Sequence, residues 1–192
     1  MSILKVARMG HPVLRARAKA VNPGDIKSPR FQQLIDDMFE TMREYQGVGL
    51  AAPQVHVPLR LFVAGFSPEP GLDPEEDEEE DRDQERVPLM ALINPEITRV
   101  GSATDEDWEG CLSIPDIRGK VPRAREIQVK AYDRHGKRID ARFRGFTARV
   151  IQHESDHLDG VLFFDRMKSF ETLTFLDEFG RYWNARRTVP EE

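Results

Sequence analysis

The sequence predicts an α+β fold built mostly on antiparallel sheet. Apolar residues recur at helical spacing in segments toward the two ends of the chain, whereas the middle contains short runs in which apolar and polar residues alternate. No regular succession of strand, helix and strand, as parallel sheets require, is present. One pair of alternating runs, 126–133 and 139–143, is separated by a turn at His135-Gly136 and is therefore predicted to be a β-hairpin.

The first predicted helix covers residues 29–45. Ser28 can cap its first turn, Pro29 suits its first helical position, and Gly47 lies beyond its end. Its apolar residues share one face, which predicts that they belong to the core. The residues on this face are Phe31, Leu34, Ile35, Met38, Met42 and Tyr45.

Two further helices are predicted downstream. One covers residues 147–158, with Thr147 as its cap and Gly160 as its stop. The other covers residues 170–187 and carries Phe170, Leu173, Leu176, Phe179 and Trp183 at helical spacing. The last residues of the chain, 188–192, are predicted to form a flexible tail.

The net charge of −6 is concentrated in one segment. Residues 69–86 contain 11 acidic and 2 basic side chains, and the rest of the chain, with 23 acidic and 26 basic ones, is slightly basic. Because like charges repel and almost nothing there can be buried, the segment is interpreted as a mobile, solvated loop insertion. It lies between two strand-like runs, 59–66 and 88–92, and is expected at the top of a second hairpin.

Length and composition predict one cytoplasmic domain covering residues 1–192. No apolar run is long enough to span a membrane, and the first residues lack the apolar region of an export signal. The single cysteine, Cys111, cannot form an internal disulfide, which fits a reducing compartment. No strongly basic block is present, so neither DNA nor a membrane is predicted as a partner.

The sharpest local signal is the H-E-x-x-H pattern of His153, Glu154 and His157. On the predicted helix, residues four apart lie on one face, so both imidazoles can bind one metal ion. Glu154 beside them can accept a proton from water activated by that ion. The alternative is a structural pair of histidines, but the helical context and apolar neighbours favour the metal site. Asp156 could orient a ligand histidine or form a structural ion pair, and the ion pair is slightly favoured.

A catalytic metal site needs a third protein ligand and an open position. The candidates are three downstream carboxylates, Asp165, Glu171 and Glu178, and the thiol of Cys111, a strong ligand for soft or borderline divalent ions. A single cysteine can equally be a small buried residue of the core. In the segment 47–54, which is otherwise small and apolar, Gln54 could donate a hydrogen bond to an oxyanion or simply cap a turn.

Three segments together resemble the signature motifs of peptide deformylases of the bacterial type, in the family's order. They are GVGLAAPQ at 47–54, EGCLS at 109–113 and QHESDHLDG at 152–160. The similarity extends to ARMGHPVLR at 7–15, IPDIRGKVPR at 114–123 and GVLFFDRM at 160–167. Only the acidic segment and about the last dozen residues lie outside it. The resemblance implies antiparallel sheets packed around a central metal-binding helix, with one helix N-terminal and another C-terminal to it.

The resemblance also implies a reaction and a set of roles. The N-formyl group of an N-terminal formyl-methionine is removed from newly made polypeptides as formate, by water that a divalent ion activates. The ion is most often Fe²⁺, and Zn²⁺, Ni²⁺ or Co²⁺ can replace it. The implied metal ligands are Cys111, His153 and His157; Glu154 is the general base and acid, and Gln54 with the backbone N–H of Leu112 stabilises the oxyanion. The implied substrate-binding residues are Val48, Gly49, Leu50 and Gly110, with Trp108, Phe146 and Val150 as walls of the methionine pocket.

Two residues depart from the family pattern. His56 and Asp116 stand where a glycine or another small residue is more usual. His56 is interpreted as a surface histidine outside the metal site, and Asp116 is expected to change the shape of the site's rim. Neither position carries a catalytic role in the family.

Three other functions compete with deformylation. A zinc endopeptidase would use a carboxylate as its third ligand. A structural metal site would need four ligands, but His11, His56 and His135 lie in unrelated segments. An inactive relative that only binds formylated peptides would not need Glu154. As a partner, the resemblance suggests the ribosome near the nascent-chain exit, through Arg181, Arg186 and Arg187, although arginines on such a helix are usually just solvated.

Overall fold

The computed structural model describes residues 2–66 and 87–183, which form two antiparallel sheets around one central helix. The larger sheet has the strand order β1-β2-β3-β6-β7, and the smaller has the order β4-β5-β8. Its strands are β1 (Gly49–Ala51), β2 (Leu61–Phe66), β3 (Val87–Arg99), β4 (Thr104–Cys111), β5 (Ile114–Ala124), β6 (Glu126–Tyr132), β7 (Arg138–Arg144) and β8 (Thr174–Phe175). The α+β class and the antiparallel sheets predicted from the sequence are confirmed.

Both predicted hairpins are present. Strands β6 and β7 pair from Glu126 with Arg144 to Tyr132 with Arg138. Strands β2 and β3 pair up to Phe66 with Val87, at the two ends of the stretch that contains the acidic segment. That segment, 69–86, lies outside the described residues. The predicted tail 188–192 and residues 184–187 of the predicted C-terminal helix also lie outside them.

Helix α1 spans Pro29–Glu44 and follows the sequence prediction closely. The Oγ of Ser28 accepts a hydrogen bond from the N–H of Phe31, and Pro29 occupies the first turn, where its missing N–H costs nothing. The face toward the sheet is buried, with Phe31, Ile35, Met38 and Met42 in the core. Tyr45 is an exception, because it lies past the helix end and its side chain is 46% exposed.

Helix α2 spans Gly145–Leu158 and is the centre of the fold. It packs against β1, β2 and β3 of the larger sheet and against β5 of the smaller one. It begins two residues earlier than predicted, so Thr147 lies inside the first turn and Arg144 is the N-cap residue. The prediction of Thr147 as the cap is therefore wrong. The stop is as predicted, because Gly160 adopts a left-handed φ of +74° just after the helix.

The C-terminal segment differs from the predicted helix 170–187. Residues 174–175 form β8 on the free edge of β5, and α3 covers only Leu176–Tyr182. Pairing with an open sheet edge satisfies backbone groups that a helix would have satisfied internally, so apolar spacing alone predicted the wrong element here. Most of the side chains on the predicted apolar face are exposed, namely Phe170, Leu173, Leu176 and Trp183. No helix among the described residues has the length and apolarity needed to cross a membrane.

Candidate metal centre

Three donor groups converge where β4 meets α2. Cys111 ends β4, and His153 and His157 lie one turn apart on α2; their ligand atoms all lie within 4.8 Å of one another. The Sγ of Cys111 is 3.3 Å from the Nε2 of His157, and the two imidazole rings are 5.0 Å apart at 80°. One sulfur and two imidazole nitrogens suit a borderline divalent ion with a position left open.

The three carboxylates considered as alternative third ligands lie elsewhere. Asp165 pairs with Arg15 and accepts a hydrogen bond from the N–H of Leu162. Glu171 lies near Ser169 on the surface, and Glu178 pairs with Arg181 on α3. Cys111 is therefore the third donor that the fold brings to the two histidines.

Glu154 is buried beside the donor set. Its Oε2 has no hydrogen-bond partner among the described residues. Burial raises the pKa of Glu154 to about 7, because ionisation is unfavourable away from water. The backbone of Gly49 passes so close that a Cβ there would overlap the carboxyl group of Glu154. An unpartnered carboxyl oxygen next to three metal donors fits a site that holds a cation and water.

A buried ionic network surrounds the centre. Glu109 accepts hydrogen bonds from Arg123 (2.9 Å, twice) and Arg149 (2.8 Å), and its Oε2 is 2.8 Å from the Nδ1 of His153. Asp156 pairs with Arg123 and, at 2.7 Å, with Arg166. The sequence-based choice of an ion pair for Asp156 is confirmed, and the residue that orients His153 is Glu109.

The pKa values of the buried groups follow from this network. Burial opposes ionisation of Glu109, but the hydrogen bonds from Arg123 and His153 outweigh it and hold the pKa of Glu109 far below its usual value. Burial also opposes protonation of His153, yet contacts with Cys111 and Glu109 raise its pKa well above the usual value. Burial and the neighbouring His153 depress the pKa of His157, which has no carboxylate partner among the described residues.

Sequence reasoning missed Glu109, Arg123 and Arg149. Glu109 lies in the segment 109–113 that resembles a family motif, but nothing in the local pattern pairs it with His153. Arg123 and Arg149 carried no recognisable signal, because an arginine is usually exposed and only the fold shows that these two are buried.

Gln54 is held rigidly at the edge of the centre. Its Oε1 accepts a hydrogen bond from the N–H of Ala51 at 2.8 Å. Its Nε2 donates to the Oγ of Ser113 at 3.1 Å and to the Sγ of Cys111 at 3.5 Å. The side chain is therefore fixed with its amide N–H₂ group facing the metal donors.

A cavity of about 610 Å³ opens onto the donor set. It is lined by Gln54, Cys111, Leu112, His153 and Glu154, and by six of the seven residues expected to bind substrate, namely Val48, Gly49, Gly110, Trp108, Phe146 and Val150. The seventh, Leu50, is fully buried in the core beneath α1, and the cavity lining does not include it.

The two departures from the family pattern lie in left-handed backbone. His56 has φ +64° and Asp116 has φ +63°, a conformation that favours glycine and explains the usual residue there. The ring of His56 packs against that of His11, 4.7 Å away, outside the metal donor set. Asp116 lines the cavity, as expected for a residue of its rim.

Fold and donor set together define a metal-dependent hydrolase of the H-E-x-x-H type. Comparisons with known proteins give the family. The protein-family model described as polypeptide deformylase matches residues 3–172. Peptide deformylase of Leptospira biflexa is 43% identical over 88% of this chain and 90% of its own length. The chloroplastic/mitochondrial peptide deformylase 1A of Arabidopsis thaliana is 41% identical over 90% of this chain, which spans 65% of the plant protein.

Solved structures agree with the sequence comparison. A class I type b peptide deformylase from Acinetobacter baumannii, with Met-Ala-Ser bound, superposes with a TM-score of 0.77 at 38% identity and covers 87% of this chain and 100% of its own. Peptide deformylase from Thermotoga maritima gives 0.72 at 37% identity, covering 88% of this chain and 100% of its own. The chain belongs to the polypeptide deformylase family.

Proposed function

We propose that this enzyme removes the N-formyl group from the formyl-methionine of newly made polypeptides and releases formate. The observation that carries the proposal is the donor set of Cys111, His153 and His157 beside a cavity that Gln54 and Glu154 line. Family membership supports the same reaction. The proposal treats residues 1–192 as one cytoplasmic deformylase domain with the acidic segment 69–86 as a mobile insertion.

Cys111, His153 and His157 would hold one divalent ion, and we favour Fe²⁺ in the cell, with Zn²⁺, Ni²⁺ or Co²⁺ able to replace it. Such an ion supplies a Lewis acid that lowers the pKa of water toward about 7. A thiolate ligand together with Fe²⁺ makes the enzyme sensitive to oxygen. The carboxylate of Glu109 keeps the Nδ1 of His153 protonated, so the other ring nitrogen is left for the ion.

Glu154 would move the protons. A carboxyl group with a pKa close to neutrality can accept a proton from the attacking water and return it to the leaving amine in the same cycle. The Nε2 of Gln54 and the backbone N–H of Leu112 would donate to the oxyanion that forms on the formyl group. Because Ala51 and Ser113 already fix the Gln54 amide, it needs no reorganisation, and losing such a donor costs about 3–4 kcal/mol.

The substrate would lie along β1 and the end of β4. Strand β1 forms one edge of the larger sheet, so an extended peptide can lie beside Val48, Gly49 and Leu50, the last of these through its backbone. Gly110 leaves room next to Cys111 on the opposite side. The side chains of Phe146 and Val150 would form the walls of the methionine pocket, and Trp108, which the resemblance also assigns to this pocket, would lie at its outer rim.

The ribosome is a proposed partner through the C-terminal arginines. Arg181 lies on α3, where it pairs with Glu178, and Arg186 and Arg187 lie outside the described residues. Truncation after Arg166 should then reduce salt-sensitive binding to ribosomes. Unchanged binding would reject this partner and leave the reaction itself unaffected.

The experiment that tests the proposed function compares deformylation with cleavage of internal peptide bonds. Protein purified without oxygen is incubated with formyl-Met-Ala-Ser and with an unformylated peptide, and formate and new amines are both measured. We expect the wild type and Glu178→Gln to release formate. Cys111→Ala should bind no metal and release no formate. Cleavage of internal bonds that survives in Cys111→Ala would favour the zinc endopeptidase.

A further inference from the structure

Both tryptophans of the chain lie in one aromatic cluster, formed by Trp108, Phe179 and Trp183. The ring of Trp108 is 4.8 Å from that of Phe179, at 70°, and 5.5 Å from that of Trp183, at 60°. Edge-to-face packing at these distances stabilises aromatic pairs beyond their buried area. The Nζ of Lys120 lies 5.5 Å from the centre of the Trp108 ring. The orientation of Trp108 is therefore set mainly from the C-terminal segment.

Strand β8 anchors this segment to the smaller sheet. Thr174 pairs with Arg118 and Phe175 with Ile117, and just before them the Oγ1 of Thr172 accepts a hydrogen bond from the N–H of Lys120 at 3.1 Å. Helix α3 follows directly. The guanidinium of Arg118 lies 5.3 Å from the ring of Phe179, so this one residue of α3 contacts both β4, through Trp108, and β5, through Arg118.

The segment also contributes to the cavity of the metal centre. Leu176, the first residue of α3, lines the cavity together with Trp108, and its side chain is 44% exposed. The match to the family model ends at residue 172, two residues before β8.

The position of Trp108 in the cavity indicates which part of a bound peptide would lie next to it. Trp108 precedes Cys111 by three residues of strand, or about 10 Å at 3.3 Å per residue. An extended peptide covers a similar distance from its formyl group to its third residue. A wall at this distance lies beyond the methionine and next to the side chains that follow it.

On the basis of the proposed function, the structure assigns α3 a role in substrate specificity. Leu176 and Trp108 form an apolar wall for the side chain of the second or third residue of the formylated peptide. Phe179 is a positioning residue, which acts by fixing the ring of Trp108. Peptides with a large apolar side chain at one of these positions are therefore preferred over those with small ones.

The test measures kcat/KM for formate release from formyl-Met-Ala-Ser, formyl-Met-Phe-Ser and formyl-Met-Ala-Phe. The wild type should prefer at least one phenylalanine peptide over formyl-Met-Ala-Ser by about 10-fold, a usual value for an apolar contact. Leu176→Ala and Phe179→Ala should abolish most of that preference. The matched control is Phe170→Ala, an exposed aromatic residue of the same segment outside the cavity and the aromatic cluster.

A binding measurement keeps the inference separate from the proposed reaction. In a Trp183→Phe background the fluorescence of Trp108 alone reports on titration with Met-Ala-Ser, Met-Phe-Ser and Met-Ala-Phe. Tighter binding of a phenylalanine peptide, lost with Leu176→Ala, supports the wall even if the wild type released no formate, a result that would reject the proposed function alone. Equal affinities for all three peptides, a preference retained in both variants, or an equal loss in Phe170→Ala would overturn the inference.

Discussion

The Nδ1 of His153 lies 2.8 Å from the Oε2 of Glu109, although the two residues are 44 positions apart in the chain. A carboxylate in this position fixes the tautomer of a metal-binding histidine and the direction of its ring. Glu109 is fixed in turn by Arg123 and Arg149, both buried. The geometry of the donor set therefore depends on residues outside it.

Replacing Glu109 by glutamine should weaken metal binding. Glutamine keeps the shape of the side chain but removes the charge that holds His153 protonated at Nδ1. Loss of such a partner typically costs about 10- to 100-fold in metal affinity, which competition with a chelator measures directly. Glu106→Gln on the same strand is the control, since Glu106 forms an ion pair with the largely exposed Lys168. Equal affinities in the two variants would show that Glu109 does not orient the ligand.

Replacing Arg123 by methionine should destabilise the fold. Arg123 contacts Glu109 and Asp156, and its removal would leave two buried carboxylates with fewer counter-charges. Breaking a buried pair in this way lowers the free energy of unfolding by about 3–5 kcal/mol. Urea denaturation measures the change.

The control for Arg123 is two residues away. Arg125 pairs with Asp105 at the surface, and its side chain is 67% exposed. An exposed pair contributes about 0–1 kcal/mol, so Arg125→Met should have almost no effect. If Arg123→Met lowered the free energy of unfolding by as little as Arg125→Met, the buried network would contribute no more to stability than an exposed ion pair.

Placing alanine at Gly49 should reduce turnover while the metal stays bound. The added Cβ would overlap the carboxyl group of Glu154 and displace it. Misplacing a catalytic group by about 1 Å can cost about 10²-fold in rate. The measurement is kcat on formyl-Met-Ala-Ser with metal content determined in the same sample.

Gly24→Ala provides the comparison for Gly49→Ala. A Cβ at Gly24 would meet only the Oδ1 of Asn22, at an ordinary 3.5 Å, so its kcat should equal that of the wild type. An unchanged kcat in Gly49→Ala would mean that Glu154 can move without loss, contrary to its proposed role.

Local pattern predicted the parts of the fold that depend on near neighbours. Helix α2 and its pair of histidines follow from residues four apart, and the β6–β7 hairpin follows from alternation around one turn. Glu109 could not be found in this way, because its partner His153 lies on another element and only tertiary structure brings them together. The donor Cys111 became distinguishable from Asp165 for the same reason.

In the C-terminal segment, the local pattern predicted the wrong structure. Its apolar spacing favoured one long helix with a buried face, yet Phe170 and Leu176 are exposed and residues 174–175 pair with β5. Periodicity reports which residues share a face, but it does not tell whether that face meets a core, a sheet edge or a cavity. Tyr45 illustrates the same point at the end of α1, since it lines the cavity and does not enter the core.

The most direct measurement is formate release from formyl-Met-Ala-Ser by metal-loaded enzyme kept free of oxygen, with Glu154→Ala compared with the wild type. General acid–base catalysis contributes about 10²- to 10⁴-fold, so kcat should fall by that factor while metal content is unchanged. Ser155→Ala is the matched control, because its hydroxyl has no partner among the described residues, and it should keep wild-type turnover. Wild-type turnover by Glu154→Ala, at equal metal content, would contradict the proposed mechanism.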